Sequence, residues 1–322
     1  MNPDDPPGEL DEIPTEYRQE SRVEPPRSLS RRFFEAVLAD WVRALSLVIV
    51  VGVVLMAVFA PLVAPYDPDR TYDLFQPPDG ESVGDFDGDG TEETVYHPLG
   101  TDSFGHDVLS RVIFGARVSL LVAFATVSLA GVAGTAIGLV AGYFGGWLDN
   151  ALMRYVDFQW AFPEIVLAIG IIAFIGGLGV VNVVIAIGLA YLDDFARVVR
   201  GEVLSVREAE YIKAARTVGM GEVRILAREV LPNASAPIIV QATVLFPLAI
   251  LSEAALSFLG LGVEPTTPTW GLLISNGQGY ITAQWWISVM PGVAIMVTAL
   301  SFNVLGDALR DGFDVGSDGV KP

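Results

Sequence analysis

Five long stretches without a charged side chain constrain the fold of this chain more than any other feature. They cover residues 44–66, 118–148, 165–192, 234–252 and 265–306. A charge at the depth of the hydrocarbon is costly, and a helix needs about 20 apolar residues to cross a bilayer. The stretches therefore predict an all-α polytopic membrane protein.

The composition combines the hydrophobicity of a membrane protein with a strong acid excess. Of 322 residues, 52% are hydrophobic, yet 38 acids oppose 19 bases and give a net charge of −19. The hydrophobicity excludes disorder of the whole chain. The acid excess argues against nucleic acid as a partner, because phosphate contacts need Lys and Arg. Cysteine is absent, which excludes thiolate chemistry. An acid excess with only two lysines is typical of salt-loving archaea, so we expect a haloarchaeal source.

The number of crossings depends on residues 165–192, which are long enough for one helix or for a tight pair. Three glycines near the middle, Gly176, Gly177 and Gly179, favour a turn. Bases mark the cytoplasmic side, and they cluster before residue 44 and again at 193–235. An even number of crossings must separate these clusters. We therefore predict a hairpin whose first helix begins near Asn150 and bends at Pro163, and six transmembrane helices in total.

These crossings predict the organisation of a multi-pass plasma-membrane protein with both termini in the cytoplasm. An acidic cytoplasmic tail, disordered over its first part, takes residues 1–42, and the first transmembrane helix takes 43–66. An extracytoplasmic segment with 12 acids and 3 bases, here called the acidic loop, takes 67–117. A five-helix core takes 118–310 and contains a cytoplasmic loop at 200–233, here called the 200–233 loop. A second cytoplasmic tail takes 311–322.

The acidic loop contains a weak candidate for a calcium site. Asp85, Asp87, Asp89 and Gly90 match positions 1, 3, 5 and 6 of an EF-hand loop. Position 12, where a bidentate Glu binds the ion, is Tyr96. A solvated acidic turn is therefore the preferred interpretation, and calcium binding is the alternative. The only two histidines, His97 and His106, also lie in this loop and are interpreted as hydrogen-bonding residues, so no other metal site is predicted.

The 200–233 loop contains the most informative segment, EYIKAARTVGMGEVRILAREVLPN at residues 210–233. Its pattern predicts two short helices that are joined at residues 219–221 and stopped by Pro232. Small side chains at Ala214 and Ala215 would let the first helix lie against another backbone or enter a groove. From the residues alone, a docking helix and an ordinary amphipathic connector are equally supported.

The same segment resembles the EAA loop of ABC-importer permeases. That motif has two alanines, a glycine four residues after the second, and Leu-Pro twelve residues further on. Residues with this spacing are Ala214, Ala215, Gly219, Leu231 and Pro232, and Glu210 and Tyr211 match the version that is usual in the peptide-transporter branch. The sequence departs from the general motif at Lys213, where Glu is usual, and at Glu229, where an apolar residue is usual. The resemblance implies that the seven matching residues couple the chain to an ATPase.

Three further segments, at residues 97–120, 251–271 and 302–314, resemble the C-type permease subunit of the dipeptide/oligopeptide (peptide/nickel) importer family. His106 replaces the Arg that is more often found in the first. Together the four segments cover residues 40–315 in the family's order. The resemblance implies a type I ABC-importer permease fold (MetI-like) and import of di- or oligopeptides by alternating access, with nickel chelates or sugars as alternative cargoes.

The resemblance also implies partners: a second homologous permease subunit, two cytosolic ABC ATPases, an extracellular substrate-binding protein and the lipid bilayer. No G-x-x-x-x-G-K-[ST] phosphate loop occurs in the sequence. The chain is therefore predicted to be no enzyme and to bind no cofactor itself, with ATP and Mg²⁺ held by the ATPase subunits. An ion-coupled secondary transporter is a weaker alternative, because it predicts inverted repeats and paired intramembrane acids.

Two features within the predicted spans are interpreted as helix-packing elements. Gly134, Gly138 and Gly142 form a small-xxx-small repeat that permits close helix contacts within the subunit or with a partner. Glu253 is the one acid deep in an apolar run, and intramembrane acids are candidates for function. The family carries Glu at this position, which implies helix positioning rather than proton transfer.

Overall fold

The structure is a computed structural model that describes Phe33, Glu35 and residues 37–314. The predicted disordered tail and residues 315–322 lie outside the described residues. The first half contains α1 (Trp41–Val58), α2 (Ala60–Val63), strands β1 (Gly80–Gly84) and β2 (Glu93–His97), α3 (Val108–Phe144), α4 (Gly146–Trp160), α5 (Glu164–Ile175) and α6 (Val180–Ala190). The second half contains α7 (Leu192–Val206), α8 (Glu210–Thr217), α9 (Glu222–Ile225), a π-helical turn (Leu226–Val230), α10 (Leu231–Asn233), α11 (Ser235–Phe258), α12 (Trp270–Gly277), a 3₁₀ turn (Gln278–Tyr280) and α13 (Trp286–Asp314).

Four helices in the described part of the chain, α1, α3, α11 and α13, are long and apolar enough to cross a membrane. The pair α4 and α5 provides a fifth crossing if the two count as one broken span. The predicted sixth crossing falls on α6, which has 11 residues and continues beyond Tyr191 as the charged helix α7. The count of six therefore stays a prediction, because α6 alone is too short to span the hydrocarbon.

The predicted hairpin is present. Helix α5 ends at Ile175, α6 begins at Val180, and Gly176 and Gly177 have φ values of 76° and 82°. These left-handed conformations suit glycine, so the chain reverses at this point. The bend predicted at Pro163 is also confirmed, because α4 and α5 meet there at 98°.

Helix α3 forms the centre of the fold and packs most extensively against α7 of the same chain. A Cβ atom at Gly134 would lie 2.4 Å from the carbonyl oxygen of Leu192, and one at Gly138 would lie 2.6 Å from that of Ala196. Gly142 likewise faces Val203. The small-residue repeat therefore contacts a helix of its own subunit, at a distance that excludes any side chain.

The helix α3 begins ten residues before the predicted boundary at residue 118. Asp107 caps it, because its carboxylate accepts the backbone N–H of Ser110 at 2.8 Å. Arg111, in the first turn, is buried and lies 3.3 Å from Asp102. A charge with a buried partner does not prevent a helix from forming, and for this reason the charge-free stretch underestimated its length.

The acidic loop folds on top of the helices around a two-stranded antiparallel sheet, with Gly80 opposite His97. The indole N–H of Trp286, at the start of α13, donates to the carbonyl oxygen of Thr101 at 3.1 Å. Both Thr101 and Trp286 are buried. The loop is thus attached to the helical core rather than separate from it.

Candidate functional site

Helix α8, which contains the resembling Ala214-Ala215 pair, exposes most of its surface. Ile212 is completely buried, whereas Glu210, Tyr211 and Ala214 are exposed. An eight-residue helix with a single buried side chain lies on the surface of the core. Its outer face is therefore available to another protein.

Gly219 ends α8 in a left-handed conformation with φ 79°. The N–H of Gly219 donates to the carbonyl oxygen of Arg216 at 3.0 Å, and the N–H of Met220 donates to that of Ala215 at 3.1 Å. This pair of bonds is a Schellman motif, which satisfies carbonyl groups that the helix end leaves free. The glycine of the motif thus sets the direction in which the chain leaves α8.

The second part of the 200–233 loop differs from the prediction at Pro232. The chain is helical from α9 through the π-helical turn and α10, and α11 begins at Ser235. Pro232 therefore lies inside α10 and does not stop the helical run. The wider π-helical turn immediately before it alters the hydrogen-bond pattern that a proline would otherwise interrupt.

A buried apolar cluster holds α8 against the end of α3. Its fully or almost fully buried members are Tyr143, Val199, Val203, Ile212, Ile225 and Val230. Ala215 packs against this cluster from α8. The cluster therefore joins α3, α7, α8 and α9 in one packed unit.

A polar contact reinforces this attachment. The hydroxyl of Tyr143 donates a hydrogen bond to the Glu222 carboxylate. The guanidinium of Arg216 lies 5.0 Å from the centroid of the Tyr143 ring, and its Nε lies 3.9 Å from Glu222. We call Tyr143, Arg216 and Glu222 the latch. It connects α8, α9 and α3 through three side chains.

Two more arginines fix the neighbouring helix ends. Arg200 of α7 donates two hydrogen bonds to Asp149 of α4, at 2.6 and 2.7 Å. Arg207 donates to the carbonyl oxygen of Gly142 at 2.9 Å. Paired bonds of a guanidinium to a carboxylate are strong and directional. The base of the 200–233 loop is therefore rigidly attached to α3 and α4.

The exposed face of the loop is more apolar than its charge count suggests. Tyr211, Val218 and Val223 are 45%, 79% and 78% exposed. Of the seven residues that match the EAA motif, Glu210, Tyr211 and Ala214 share this face. Ala215 faces the apolar cluster. Gly219 forms the turn, while Leu231 and Pro232 lie in α10 and not on α8. The structure thus separates residues on an exposed face from residues that shape the loop.

Glu253 lies completely buried at the junction of α11, α3 and α12. It accepts hydrogen bonds from Ser257 at 2.7 Å and from Ser119 at 3.1 Å. Ser119 Oγ in turn accepts the backbone N–H of Trp270 at 3.2 Å. Both carboxylate oxygens have partners and no path to solvent, so the arrangement fits helix positioning.

The three aspartates of the calcium candidate lie together, with carboxylate oxygens within 4.8 Å of one another. Each accepts backbone N–H groups of its own turn, for example Gly90 to Asp85 at 2.9 Å. Tyr96, at the twelfth position, donates its hydroxyl to Asp79 instead. These bonds fit the preferred interpretation, a solvated acidic turn, and calcium binding stays the alternative.

The two histidines have different surroundings. His97 Nδ1 lies 2.9 Å from Asp107 and its Nε2 lies 3.2 Å from Ser82 Oγ. The fold thus produces a Ser-His-Asp arrangement from residues that lie far apart in the sequence. All three side chains are completely buried, so a substrate cannot reach them and the arrangement is structural.

His106 belongs to a second network, with Asp102 and Arg111. Burial by itself would raise the pKa of the Asp102 carboxyl. His106, through its hydrogen bonds and its charge, and the backbone N–H of Phe104 have a larger opposite effect, so the pKa lies below its ordinary value. Nearby, burial raises the pKa of Tyr72 to about 12. These groups hold the acidic loop together.

One set of polar residues was missed in the sequence. Glu164 and Asp193 line a cavity of about 380 Å³ at the bend between α4 and α5. They bracket the charge-free stretch 165–192, and a hairpin necessarily brings its two ends together. The predicted hairpin therefore already implied that Glu164 and Asp193 lie close together.

Comparison with known families gives two matches. The family described as "Binding-protein-dependent transport system inner membrane component" matches residues 134–315. The family described as "N-terminal TM domain of oligopeptide transport permease C" matches residues 28–78. The second match covers the N-terminal helix α1, and the first covers the chain from the middle of α3 to its last described residues.

Curated relatives align over most of the chain. The dipeptide transport system permease protein DppC of Alkalihalophilus pseudofirmus is 40% identical, over 88% of this chain and 89% of the relative. The di/tripeptide permease DppC of Pseudomonas aeruginosa is 40% identical, over 81% and 84%. The glutathione transport system permease protein GsiD of Escherichia coli is 38% identical, over 82% and 83%.

Among solved structures, an inward-facing conformation of the MetNI methionine ABC transporter resembles this chain with a TM-score of 0.52 and 19% identity. The match covers 63% of this chain and 96% of that chain. At this identity the likeness shows the fold, which is that of the predicted MetI-like class.

Proposed function

Because the chain belongs to the family of binding-protein-dependent transport system inner membrane components, we propose that it is the permease subunit of an ATP-binding-cassette importer for di- and oligopeptides. It is a multi-pass membrane protein of a transport family. The names of its relatives, which refer to dipeptides, di/tripeptides and glutathione, support peptides over nickel chelates or sugars as cargo.

The exposed helix α8 is the observation that carries the mechanism. Of the two separate ATPase subunits, which hold ATP and Mg²⁺, one binds the outer face of α8 at Tyr211 and Ala214. Closure of the ATPase pair displaces α8. Ile212 and Tyr143 transmit this displacement to α3, which rocks and opens the path alternately to the two sides of the membrane.

The position of the cytosolic ATPases at α8 sets the orientation of the rest of the chain. The 200–233 loop and both termini face the cytoplasm, and the acidic loop faces the outside of the plasma membrane, toward a substrate-binding protein. Helices α6 and α7 together make the sixth crossing. A second, homologous permease subunit completes the path, and this chain contributes no ATPase activity of its own.

Docking at α8 is tested with Ala214→Glu in the assembled importer. The alanine is exposed, so the change leaves the apolar cluster intact and places a carboxylate on the contact face. We expect loss of co-purifying ATPase and loss of peptide uptake in proteoliposomes. Gly279→Glu is the matched control, because a Cβ there meets no atom within 4 Å and the site lies far from α8. Full ATPase association in Ala214→Glu would refute docking at this face.

A further inference from the structure

A groove of about 580 Å³ lies among α1, α3, α11 and α13, the four helices of the described chain that are long and apolar enough to cross a membrane. Nine of the ten residues that line it are apolar, and the tenth is Arg117 of α3. Along α1 the groove extends from Val50 to Val58, a rise of about 12 Å. One leaflet contributes about 15 Å, half of the hydrocarbon core, so the groove spans most of a leaflet.

Apolar side chains form both the rim and the floor of this groove. At the rim, Val58, Leu121 and Phe124 are 59%, 57% and 68% exposed. At the floor, the rings of Phe246 and Phe302 stack with their centroids 4.2 Å apart and pack against the main core. An exposed rim over a packed floor leaves a channel that accommodates a hydrocarbon chain.

Arg117 lies at the end of the groove next to the acidic loop. The backbone N–H of Tyr66, the last residue of the first charge-free stretch, donates to Ser110 Oγ at 3.2 Å, which places Ser110 near the membrane boundary. Arg117 follows two turns later, about 10 Å further along α3. Side chains of a helix lean toward its N-terminus, and the N-terminus of α3 is at this boundary. The arginine can therefore keep its stem in the groove and bring its charge to the depth of the lipid headgroups.

The charge of Arg117 is not neutralised within the described part of the chain. Of the other two bases in the acidic loop, Arg70 pairs with Glu93 at 2.8 Å and Arg111 pairs with Asp102 at 3.3 Å. Among the residues that the structure describes, no ion pair or hydrogen bond involves Arg117, which is exposed. A charge at bilayer depth is costly without a counter-charge. The groove thus combines an apolar channel with one cation that needs an anion.

We propose that this groove binds an anionic phospholipid, with an acyl chain in the apolar channel and the headgroup phosphate on the Arg117 guanidinium. The proposal concerns a surface that the proposed transport function does not use. A guanidinium presents a fork of N–H donors that matches two oxygens of a phosphate. The channel and the guanidinium also lie at the depths where a phospholipid of the bilayer has its chain and its headgroup.

The charges favour an anionic over a zwitterionic lipid. None of the described residues that line the groove has a carboxylate, so the cation of a choline or ethanolamine headgroup would find no partner there. The adjoining acidic loop has 12 acids against 3 bases and repels anionic lipid in general. Retention of an anionic lipid at this face must therefore depend on Arg117.

The test counts the lipids that stay bound to the assembled importer. The importer, purified in detergent, is incubated with equal amounts of dioleoyl-phosphatidylglycerol and dioleoyl-phosphatidylcholine, and bound lipids are counted by native mass spectrometry. We expect the wild type to retain phosphatidylglycerol preferentially. Arg117→Gln should weaken phosphatidylglycerol binding about tenfold, a factor that corresponds to 1.4 kcal/mol, and leave phosphatidylcholine binding unchanged. Arg117→Lys keeps the charge and should keep most of the preference. Arg154→Gln, at an exposed site on α4 outside the groove, removes the same charge and should change nothing.

The apolar channel is tested separately. Leu121→Trp enlarges an exposed side chain of the rim and should lower phosphatidylglycerol retention by obstructing the channel. Val181→Trp on α6 is the matched control, because Val181 is 68% exposed and lies outside the groove. Since Arg117 and Leu121 are both exposed, the melting temperatures of their variants in lipid-free detergent should lie near that of the wild type.

Equal retention of phosphatidylglycerol by the wild type and Arg117→Gln would overturn the proposal. An equal loss in Arg154→Gln would show attraction to any exposed base and would overturn it too, as would unchanged retention in Leu121→Trp. If Arg117→Gln instead loses the co-purifying partner permease, a protein carboxylate covers Arg117 and the lipid proposal is wrong.

Discussion

Tyr143, the penultimate residue of the 37-residue helix α3, donates its phenolic hydrogen to Glu222, which lies 79 residues later in the chain. This bond joins the long central helix to the segment that follows α8. The Arg216 guanidinium on the same ring adds a contact from α8 itself. The latch therefore connects the exposed helix α8 to the central helix α3.

Removal of the latch hydroxyl should uncouple hydrolysis from transport. In Tyr143→Phe the ring stays in the apolar cluster, but a hydrogen bond to a charged group, worth about 1.5–3 kcal/mol, is lost. We expect ATP hydrolysis to continue while the peptide moved per ATP falls several-fold in proteoliposomes. Tyr155→Phe is the control, since Tyr155 is 49% exposed and lies outside the latch. If Tyr143→Phe moves as much peptide per ATP as the wild type, the latch has no part in coupling hydrolysis to transport.

Close packing of α3 on α7 should tolerate no side chain at Gly138. A Cβ there would lie 2.6 Å from a backbone carbonyl oxygen, which cannot move aside as a flexible side chain can. Gly138→Val should therefore lower the melting temperature of the purified complex sharply or abolish its accumulation. Gly170→Val on α5, where a Cβ meets no atom within 4 Å, should leave both near the wild-type value. Similar melting temperatures for the two variants would contradict this account.

Glu253 should contribute to stability and not to ion coupling. Glu253→Ala leaves the Ser119 and Ser257 hydroxyls without their acceptor and opens a cavity, which should destabilise the protein by about 2–4 kcal/mol. Thermal unfolding in detergent measures this, and Glu253→Gln, of nearly the same size, should lose less. Peptide uptake should persist when an uncoupler removes the proton gradient while ATP is maintained. Abolition of uptake under those conditions would revive an ion-coupled mechanism.

The acidic loop should lose stability in acid through Asp102. The native pKa of this carboxyl lies below the ordinary value of 3.8, so the unfolded chain binds the proton more readily than the native one. Its stabilisation is complete above that ordinary value and is lost as the pH falls from 3.8 through the lowered native pKa. Proteolysis of the loop, followed between pH 6 and pH 3, should accelerate in this window. In Asp102→Asn the loop should already be cleaved faster at pH 6 than in the wild type. The rise in cleavage rate that Asp102 causes below pH 3.8 should disappear in this variant.

Local patterns predicted much of the architecture. The glycines at 176–179 and the bases on either side were enough to predict a hairpin, and Pro163 was enough to predict its bend. The start of α3 was placed too late because Arg111 and Arg117 looked like residues outside a span. Only the contact between Arg111 and Asp102, which lie in different elements, shows that a buried charge is accommodated there.

In the candidate site, too, some features could be predicted from the sequence and others could not. The pattern around Ala214, Ala215 and Gly219 indicated a short helix, and Gly219 does end it. Nothing in the order of residues placed Tyr143 on Glu222, because side-chain contacts across 79 residues depend on how the helices pack. Pro232 was predicted to stop a helix, but the preceding π-helical turn allows the helical run to continue.

The sequence by itself determined that this chain crosses a membrane repeatedly, that residues 165–192 turn back, and that it belongs with peptide-importer permeases. It could do so because the exclusion of charge from hydrocarbon and the spacing of a motif are both recorded along the chain. Only the tertiary structure decided which intramembrane acids are satisfied and which face open space. Glu253 and Asp193 are both buried carboxylates, but two serines donate hydrogen bonds to the first while the second lines a cavity. The difference arises from neighbours brought together by packing, which no local pattern records.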